Sequence, residues 1–581
     1  MKKVKLVTLL AIILIANSMA FANKQVKIRM VETSDVHGNF YPYDFINRHA
    51  GSGSLARVHT ALKAFRNELG DSNVIVVDNG DILQGQPTAY YYNFIDTAST
   101  HVAAEMMDFM GYSLETLGNH DIETGHAVYD RWIQELPFPV LGANIIDTST
   151  GEPFVRPYEI LERDGVRIAV LGMITPAIPG WLPETLWKGL RFDDMVSTAE
   201  KWVPYIREKE NPHVIVGLFH SGRDYTKTTG DVIENASLLV AKEVPGFDVI
   251  LMGHDHSPYL DFVKNNEGGE VLVANPANNA NKLVIVDFDV ELDDNGDLVS
   301  LSVSGDLLPI NELEPSEEFM QRFEPQRKAV SDFVNRKVGV FTDTLSTRDA
   351  YFGPSAFIDF IHRMQLDISG AQISMAAPLT FNAVIPAGPV SVADMFNLYK
   401  YENMLYTMRL SGQEIKDYLE MSYDMWTNTM DSSEDHLLKL RDSGASDMTH
   451  TGFMYPSYNF DSAAGIIYTV DVTKPRGEKI NIISLADGSP FKKDESYTVA
   501  INSYRGNGGG NLLTEGSGIP TEELTSRILS STDKDLRFYL MKYIEQEGTL
   551  SPKPLDQWKF IPDKVVEPAA KRDRQLLFPQ K

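Results

Sequence analysis

Between residues 26 and 299 the chain alternates short, continuous apolar runs with amphipathic stretches. The runs at 26–31, 74–77, 168–173, 214–219 and 249–252 are rich in β-branched residues and read as buried strands. Residues 54–69 and 98–110 read as helices between them, so this half predicts α/β layers. Each apolar run ends at once in polar loop residues, the place where a strand fixes position and a loop supplies chemistry. Around 292–305 the alternation gives way to polar, hairpin-like sequence, and residues 312–336 are charged with a helical period. Beyond Val338 helices and strands are mixed. A strand is predicted at 399–410, and Ser411 with Glu414 forms a capping box that should start a helix over 412–421. Another strand is predicted at 497–502, a polar surface insertion at 427–454 and a loosely held tail at 563–581.

At 581 residues the chain exceeds the ~100–200 residues of an ordinary domain, which favours two large domains. The expected division is 1–22 leader, 23–310 catalytic domain, 311–337 linker helix, 338–562 substrate-binding domain and 563–581 tail. In the leader, Lys2, Lys3 and Lys5 precede an apolar run over 6–16, and Ala20-Phe21-Ala22 offers small residues for cleavage after Ala22. The run is shorter than the ~20 residues a membrane span needs, so a periplasmic or secreted protein without stable membrane insertion is expected. The chain has no cysteine, so any metal must be held by oxygen and imidazole. A net charge of −27 speaks against a nucleic-acid polymer as partner, because polyanion binding needs basic patches. A monomer is expected.

Four of the apolar runs lead into Asp35-Val36-His37-Gly38, Gly80-Asp81, His220-Ser221-Gly222 and Gly253-His254-Asp255-His256, and a shorter strand-like run leads into Gly118-Asn119-His120-Asp121. Asp35 and His37 are two apart, as are His254 and His256; on extended segments both members of a pair would face one site. With Asp81, Asn119 and His220 they make seven plausible ligands for two divalent ions, with Asp81 as the bridge. Such a set suits Zn, Mn, Fe or Co better than Ca²⁺ or a copper electron carrier. Two ions ~3.5–4 Å apart can hold a hydroxide for in-line attack on phosphorus and clamp the phosphoryl oxygens. His120 adjoins a ligand without being needed as one, which fits a general acid for the leaving group. His49, His101, His126, His362 and His450 have no spaced partners and read as structural, with His126 nearest to the site in sequence.

In order and composition these five blocks resemble the calcineurin-like metallophosphoesterases, and the second domain is similar to that of the 5′-nucleotidase family. The resemblance covers nearly the whole chain after the leader. It implies a four-layer α/β/β/α metal domain joined by a linker helix to an α+β substrate-binding domain that can rotate. It also implies one metal on Asp35, His37, Asp81 and His256, and another on Asp81, Asn119, His220 and His254. Within the family, segments 385–388, 398–403, 410–422, 458–461 and 502–505 resemble the bacterial 2′,3′-cyclic-nucleotide 2′-phosphodiesterase/3′-nucleotidase branch. That likeness implies that Tyr458 and Tyr504 sandwich the base of a nucleotide substrate, leaving Asn459, Asp461 and Arg505 open between ligand contact and surface. Two departures stand out. Glu123 occupies the place where 5′-nucleotidases pair an aspartate with the catalytic histidine, and residues 372–381 lack the arginines that hold a 5′-phosphate there. The alternatives are a 5′-nucleotidase or nucleotide-sugar hydrolase, and a non-catalytic nucleotide-binding relative.

Overall fold

The computed structural model describes residues 23–226, 228–229, 232–441 and 452–579. The expected leader, His450 and the middle of the 427–454 insertion lie outside the described residues. The first half contains two six-stranded sheets. One runs Leu298–Pro309, Lys282–Leu292, Lys24–Thr33, Val74–Asp78, Leu114–Thr116, Val140–Leu141. The other runs Tyr259–Lys264, Glu270–Asn275, Val249–Met252, Val214–His220, Val166–Ile174, Tyr158–Arg163.

Their inner faces share one apolar layer that includes Ile28, Met30, Ile75, Val77, Val170, Val216, Leu218 and Leu251. Helices Leu55–Leu69 and Val102–Met110 cover the outer face of the first sheet, and Met195–Glu210 and Ser237–Glu243 that of the second. The result is four layers. The sheets are also stitched by a polar contact: the Asn79 amide donates to Glu32 Oε1 at 2.9 Å in the first sheet and to the Phe219 carbonyl at 3.1 Å in the second. A burial this complete requires such pairing of polar groups.

The helix expected at 98–110 begins only at Val102, because Asp96 holds Ser99 in a turn and His101 Nδ1 caps Ala103 N–H at 3.2 Å. The single connecting helix expected at 312–336 is two: Glu317–Arg322 and Glu324–Asn335. Pro325 explains the break, since it cannot donate the next backbone hydrogen bond and fits only the first turn of a new helix.

The second half is built on a five-stranded sheet in the order Ser462–Ala464, Ile373–Ala376, Ser496–Asn502, Met404–Ser411, Ile528–Asp535. The Ser411/Glu414 capping box is present and its helix runs Gly412–Trp426. The insertion is less superficial than its polarity suggested: Met430, Leu437, Leu438 and Phe453 are buried in the core. Nor is the tail loose through its described part. Asp563–Leu577 is a helix that buries Val566 and Ala569, and its buried Asp573 accepts from Leu438 N–H at 3.0 Å and from His436. Among the described residues no helix is long and apolar enough to cross a membrane.

Candidate functional site

All seven sequence-picked ligand residues lie at the carboxyl ends of parallel strands, drawn from both sheets. Asp35 and His37 follow strand Lys24–Thr33, Asp81 follows Val74–Asp78, and Asn119 follows Leu114–Thr116. His220 ends Val214–His220, and His254 and His256 follow Val249–Met252. The expectation of extended pairs is corrected. Asp35, His37, Asp81, His254 and His256 have φ of 51°, 49°, 59°, 72° and 55°, in the left-handed region that side chains other than glycine rarely enter. Such strain, about 1–3 kcal/mol per residue, persists only where surrounding contacts over-determine it. One of those contacts is Gly118, where an added Cβ would come within 2.1 Å of Asp81 Oδ1.

The side chains converge in two groups. In one, Asp35 Oδ1 lies 3.2 Å from His256 Nε2 and 3.9 Å from His37 Nε2, and the two histidine nitrogens are 3.0 Å apart. In the other, His220 Nε2 is 3.2 Å from both Asp81 Oδ2 and Asn119 Oδ1, and His254 Nδ1 is 2.8 Å from Asn119 Oδ1. Among the described residues, Asp35, His37 and His256 form one metal-sized cluster of acidic and histidine groups, and Asp35, Asp81 and His220 form another.

These groups fit a divalent cation. Asp35 Oδ1 is buried with no hydrogen bond, while Oδ2 is occupied by Ser34 Oγ at 2.6 Å and His254 N–H at 3.0 Å. His37 faces the Gln84 carbonyl through Nδ1 at 3.2 Å, which leaves a lone pair on Nε2 directed at the same place. Convergent acceptors with held outer nitrogens are the arrangement of a metal ligand set.

The electrostatics agree. Burial lowers His37 to about 3, helped by the charge of His256. Burial opposes ionisation of Asp81, but the charges of His220 and His120 hold it well below the usual carboxylate range. Burial likewise opposes the charge on His220, and Asp81 overrides it, raising the imidazole to about 9. A cation bound at this nitrogen would compete with that proton.

His120 and Glu123 are brought together on the short helix Asn119–Glu123, Nδ1 to Oε2 at 2.5 Å. Burial would lower this histidine, but Asp81 and Glu123 outweigh it and raise it to about 10. Asp121, read as a local group, accepts from the N–H groups of Asp81, Ile82, Leu83 and Gly118 at 2.8–3.1 Å and so pins the Asp81 turn. His126 instead pairs with Asp130 and the Lys188 carbonyl, away from the ligand cluster.

The second domain contributes Tyr458 and Tyr504, half-buried on adjoining loops. Their ring centres are 6.4 Å apart, but the planes cross at 90°. The flat slot of a sandwich is thus not formed; the rings meet edge to face. Gly509 underlies one of them, since a Cβ there would come within 2.5 Å of the Tyr504 ring. Arg505 is not a surface group. It is 2% exposed and binds Asp461 Oδ2 at 3.0 Å, Asn459 Oδ1 at 2.9 Å, the Gly509 carbonyl at 2.7 Å and the Tyr458 carbonyl. This one guanidinium clamps both tyrosine loops.

The two domains meet here. Trp181 lies against His254, with ring centres 5.6 Å apart and planes at 26°, and its carbonyl accepts from Asn507 at 3.4 Å. Tyr90 reaches into the second domain, 5.4 Å from Phe396 and under the Arg537 guanidinium. A further residue, Glu234, not apparent from the sequence, has its Oε1 3.0 Å from His254 Nε2. It sits in a polar loop with no spacing relation to any ligand.

Comparison with known proteins agrees with this layout. Residues 28–258 match the calcineurin-like phosphoesterase family and residues 337–515 the 5′-nucleotidase C-terminal domain. A trifunctional nucleotide phosphoesterase of Bacillus subtilis is 27% identical over 93% of this chain, which spans 39% of that protein's length. A 2′,3′-cyclic-nucleotide 2′-phosphodiesterase/3′-nucleotidase of Haemophilus influenzae is 26% identical, covering 94% of this chain and 89% of that one. A Staphylococcus aureus crystal structure assigned as a 5′-nucleotidase shares the fold, with a TM-score of 0.75 at 21% identity over 92% of this chain and 99% of that one.

Proposed function

We propose that this chain, a metal-dependent phosphoester hydrolase with a calcineurin-like phosphoesterase domain and a 5′-nucleotidase C-terminal domain, hydrolyses 2′,3′-cyclic nucleotides and 3′-nucleotides outside the cytoplasm. The observation that carries the proposal is the His120–Glu123 pair beside the converging Asp and His donors, with the His120 backbone N–H on Asp81 Oδ1 at 2.7 Å. Asp35, His37, Asp81, Asn119, His220, His254 and His256 would hold two divalent ions, of the Zn, Mn, Fe or Co class given their oxygen and imidazole donors. When bound, such ions supply Lewis acidity and lower the pKa of water.

The chain's own groups do the rest. His120, held protonated by Glu123 and Asp81, gives its proton to the departing ribose oxygen. Glu123 keeps the Nδ1 side of the ring occupied, so that Nε2 faces the reaction. Tyr458 and Tyr504 offer aromatic surface to the base, which tolerates any base because each has a π-face. The cyclic and 3′ preference is supported by residues 372–381, which carry Ala376-Ala377-Pro378 and no arginine for a 5′-phosphate. Export is supported by the basic, apolar and small-residue pattern of 1–22.

Side-by-side turnover of 2′,3′-cAMP, 3′-AMP and 5′-AMP tests the reading. The first two should be hydrolysed far faster. A strong preference for 5′-AMP would turn the assignment to a 5′-nucleotidase.

A further inference from the structure

We infer that Glu234 is a positioning residue of the metal centre: it holds His254 in the tautomer and ring orientation that a ligand needs. The inference rests on the metal-dependent reading above. His254 is bracketed by two oxygens. Asn119 Oδ1 lies 2.8 Å from Nδ1, and Glu234 Oε1 lies 3.0 Å from Nε2. A carboxylate at Nε2 fixes the ring proton there, so a neutral ring turns a lone pair at Nδ1 toward the amide oxygen. Two acceptors facing each other repel unless a cation lies against both. The carboxylate thus sets the face that His254 presents to the cluster.

The other ligand histidines with resolved outer contacts are held differently. His37 and His220 both use Nδ1, against the backbone carbonyls of Gln84 at 3.2 Å and Asn79 at 2.5 Å. Their inward atom is Nε2. His254 is turned the other way round, and a side-chain carboxylate takes the place of the carbonyl. A carboxylate also makes the ring a more basic donor, which a neutral carbonyl does less.

Glu234 is itself fixed in place. Its carbonyl accepts from Thr175 Oγ1 at 2.8 Å and Ser221 Oγ at 3.0 Å. The next residues are tied to the same strand end, with Gly222 N–H on Asn235 Oδ1 at 2.9 Å and Ala236 N–H on Ser221 Oγ at 2.8 Å. The loop is therefore anchored to the strands that deliver His220 and Thr175. Trp181 closes the ring of His254 from the second-domain side.

The test is Co²⁺ titration of the metal-stripped full chain, followed by calorimetry and by the visible absorption of bound Co²⁺. Wild type should bind two ions. E234A should weaken one step by ~10–100-fold, the usual loss for an outer partner of a ligand histidine, and leave the other step intact. E234Q, whose amide oxygen can still accept from Nε2–H, should lie between. The thermal midpoint of the metal-free protein should be unchanged in both. Two full-affinity steps in E234A and E234Q would overturn the inference, and so would equal weakening of both steps with a lowered metal-free midpoint. Should E234A not fold, E234Q alone decides by the same two criteria. A wild-type chain that binds no Co²⁺ would instead overturn the metal-dependent reading.

Discussion

The Asp/His cluster and the tyrosine loops are held by opposite means. The Asp/His half is fixed by backbone: strand ends, left-handed turns at five ligand positions and the Gly118 contact with Asp81. The tyrosine half is fixed by one side chain, the buried guanidinium of Arg505 reaching across both loops. A backbone-built site holds its atoms closely and admits few substitutions. A side-chain-clamped site can change its ring angle by small loop shifts.

The contrast can be broken from either side. The largest effect is expected from the rigid half. Asp81→Ala should abolish turnover and remove one equivalent of tightly bound metal, and thorough chelation of wild type should do the same; full activity after either would end the metal-dependent reading. Next comes His120→Ala, which should lower kcat by roughly 10²–10⁴-fold on nucleotides, the usual contribution of a general acid. An aryl phosphate with a good leaving group should lose much less. Because His120 is raised to about 10, turnover should fall as pH rises through that region. Removing the Glu123 charge lowers the imidazole pKa, so in Glu123→Gln the alkaline limb should move to lower pH; an unmoved limb would dissociate the pair from catalysis.

The clamped half should fail in stability before it fails in chemistry. Arg505→Met leaves Asp461 buried and unpaired, and should cost about 3–5 kcal/mol in urea unfolding. Adding Asp461→Asn should recover most of it, with Co²⁺ binding unchanged throughout. Smallest is Tyr504→Ala, which should raise KM for nucleotides by the equivalent of ~1–3 kcal/mol without altering turnover of an aryl phosphate. Equal loss on both substrates would mean that the ring supports the fold rather than the base.

The same division governs what could be read from sequence. Four of the five ligand blocks were legible because each follows a β-branched apolar run, while the Asn119 block follows only the short strand Leu114–Thr116 and was legible from its own residues. The turn conformations were not: a two-residue spacing suggests an extended pair, while Asp35 and His37 share a cluster through paired positive φ. Glu234 was invisible because its partner His254 is 20 residues away, with no periodicity between them. Arg505 looked like a ligand contact or a surface group because its counterion Asp461 is 44 residues off. The helix at Asp563–Leu577 was hidden by charge, with only a few apolar positions to mark its buried side. Pro325 was in plain view, and its effect on the linker follows from local sterics alone.

The Asn79 stitch carries a mechanical consequence. One amide ties the first sheet to the second directly behind the ligand turns. Sliding one sheet past the other would break these bonds as well as the apolar layer between them. Any rotation of the second domain against the first would bend the joint between Glu317–Arg322 and Glu324–Asn335 and withdraw Tyr90 from beneath Arg537.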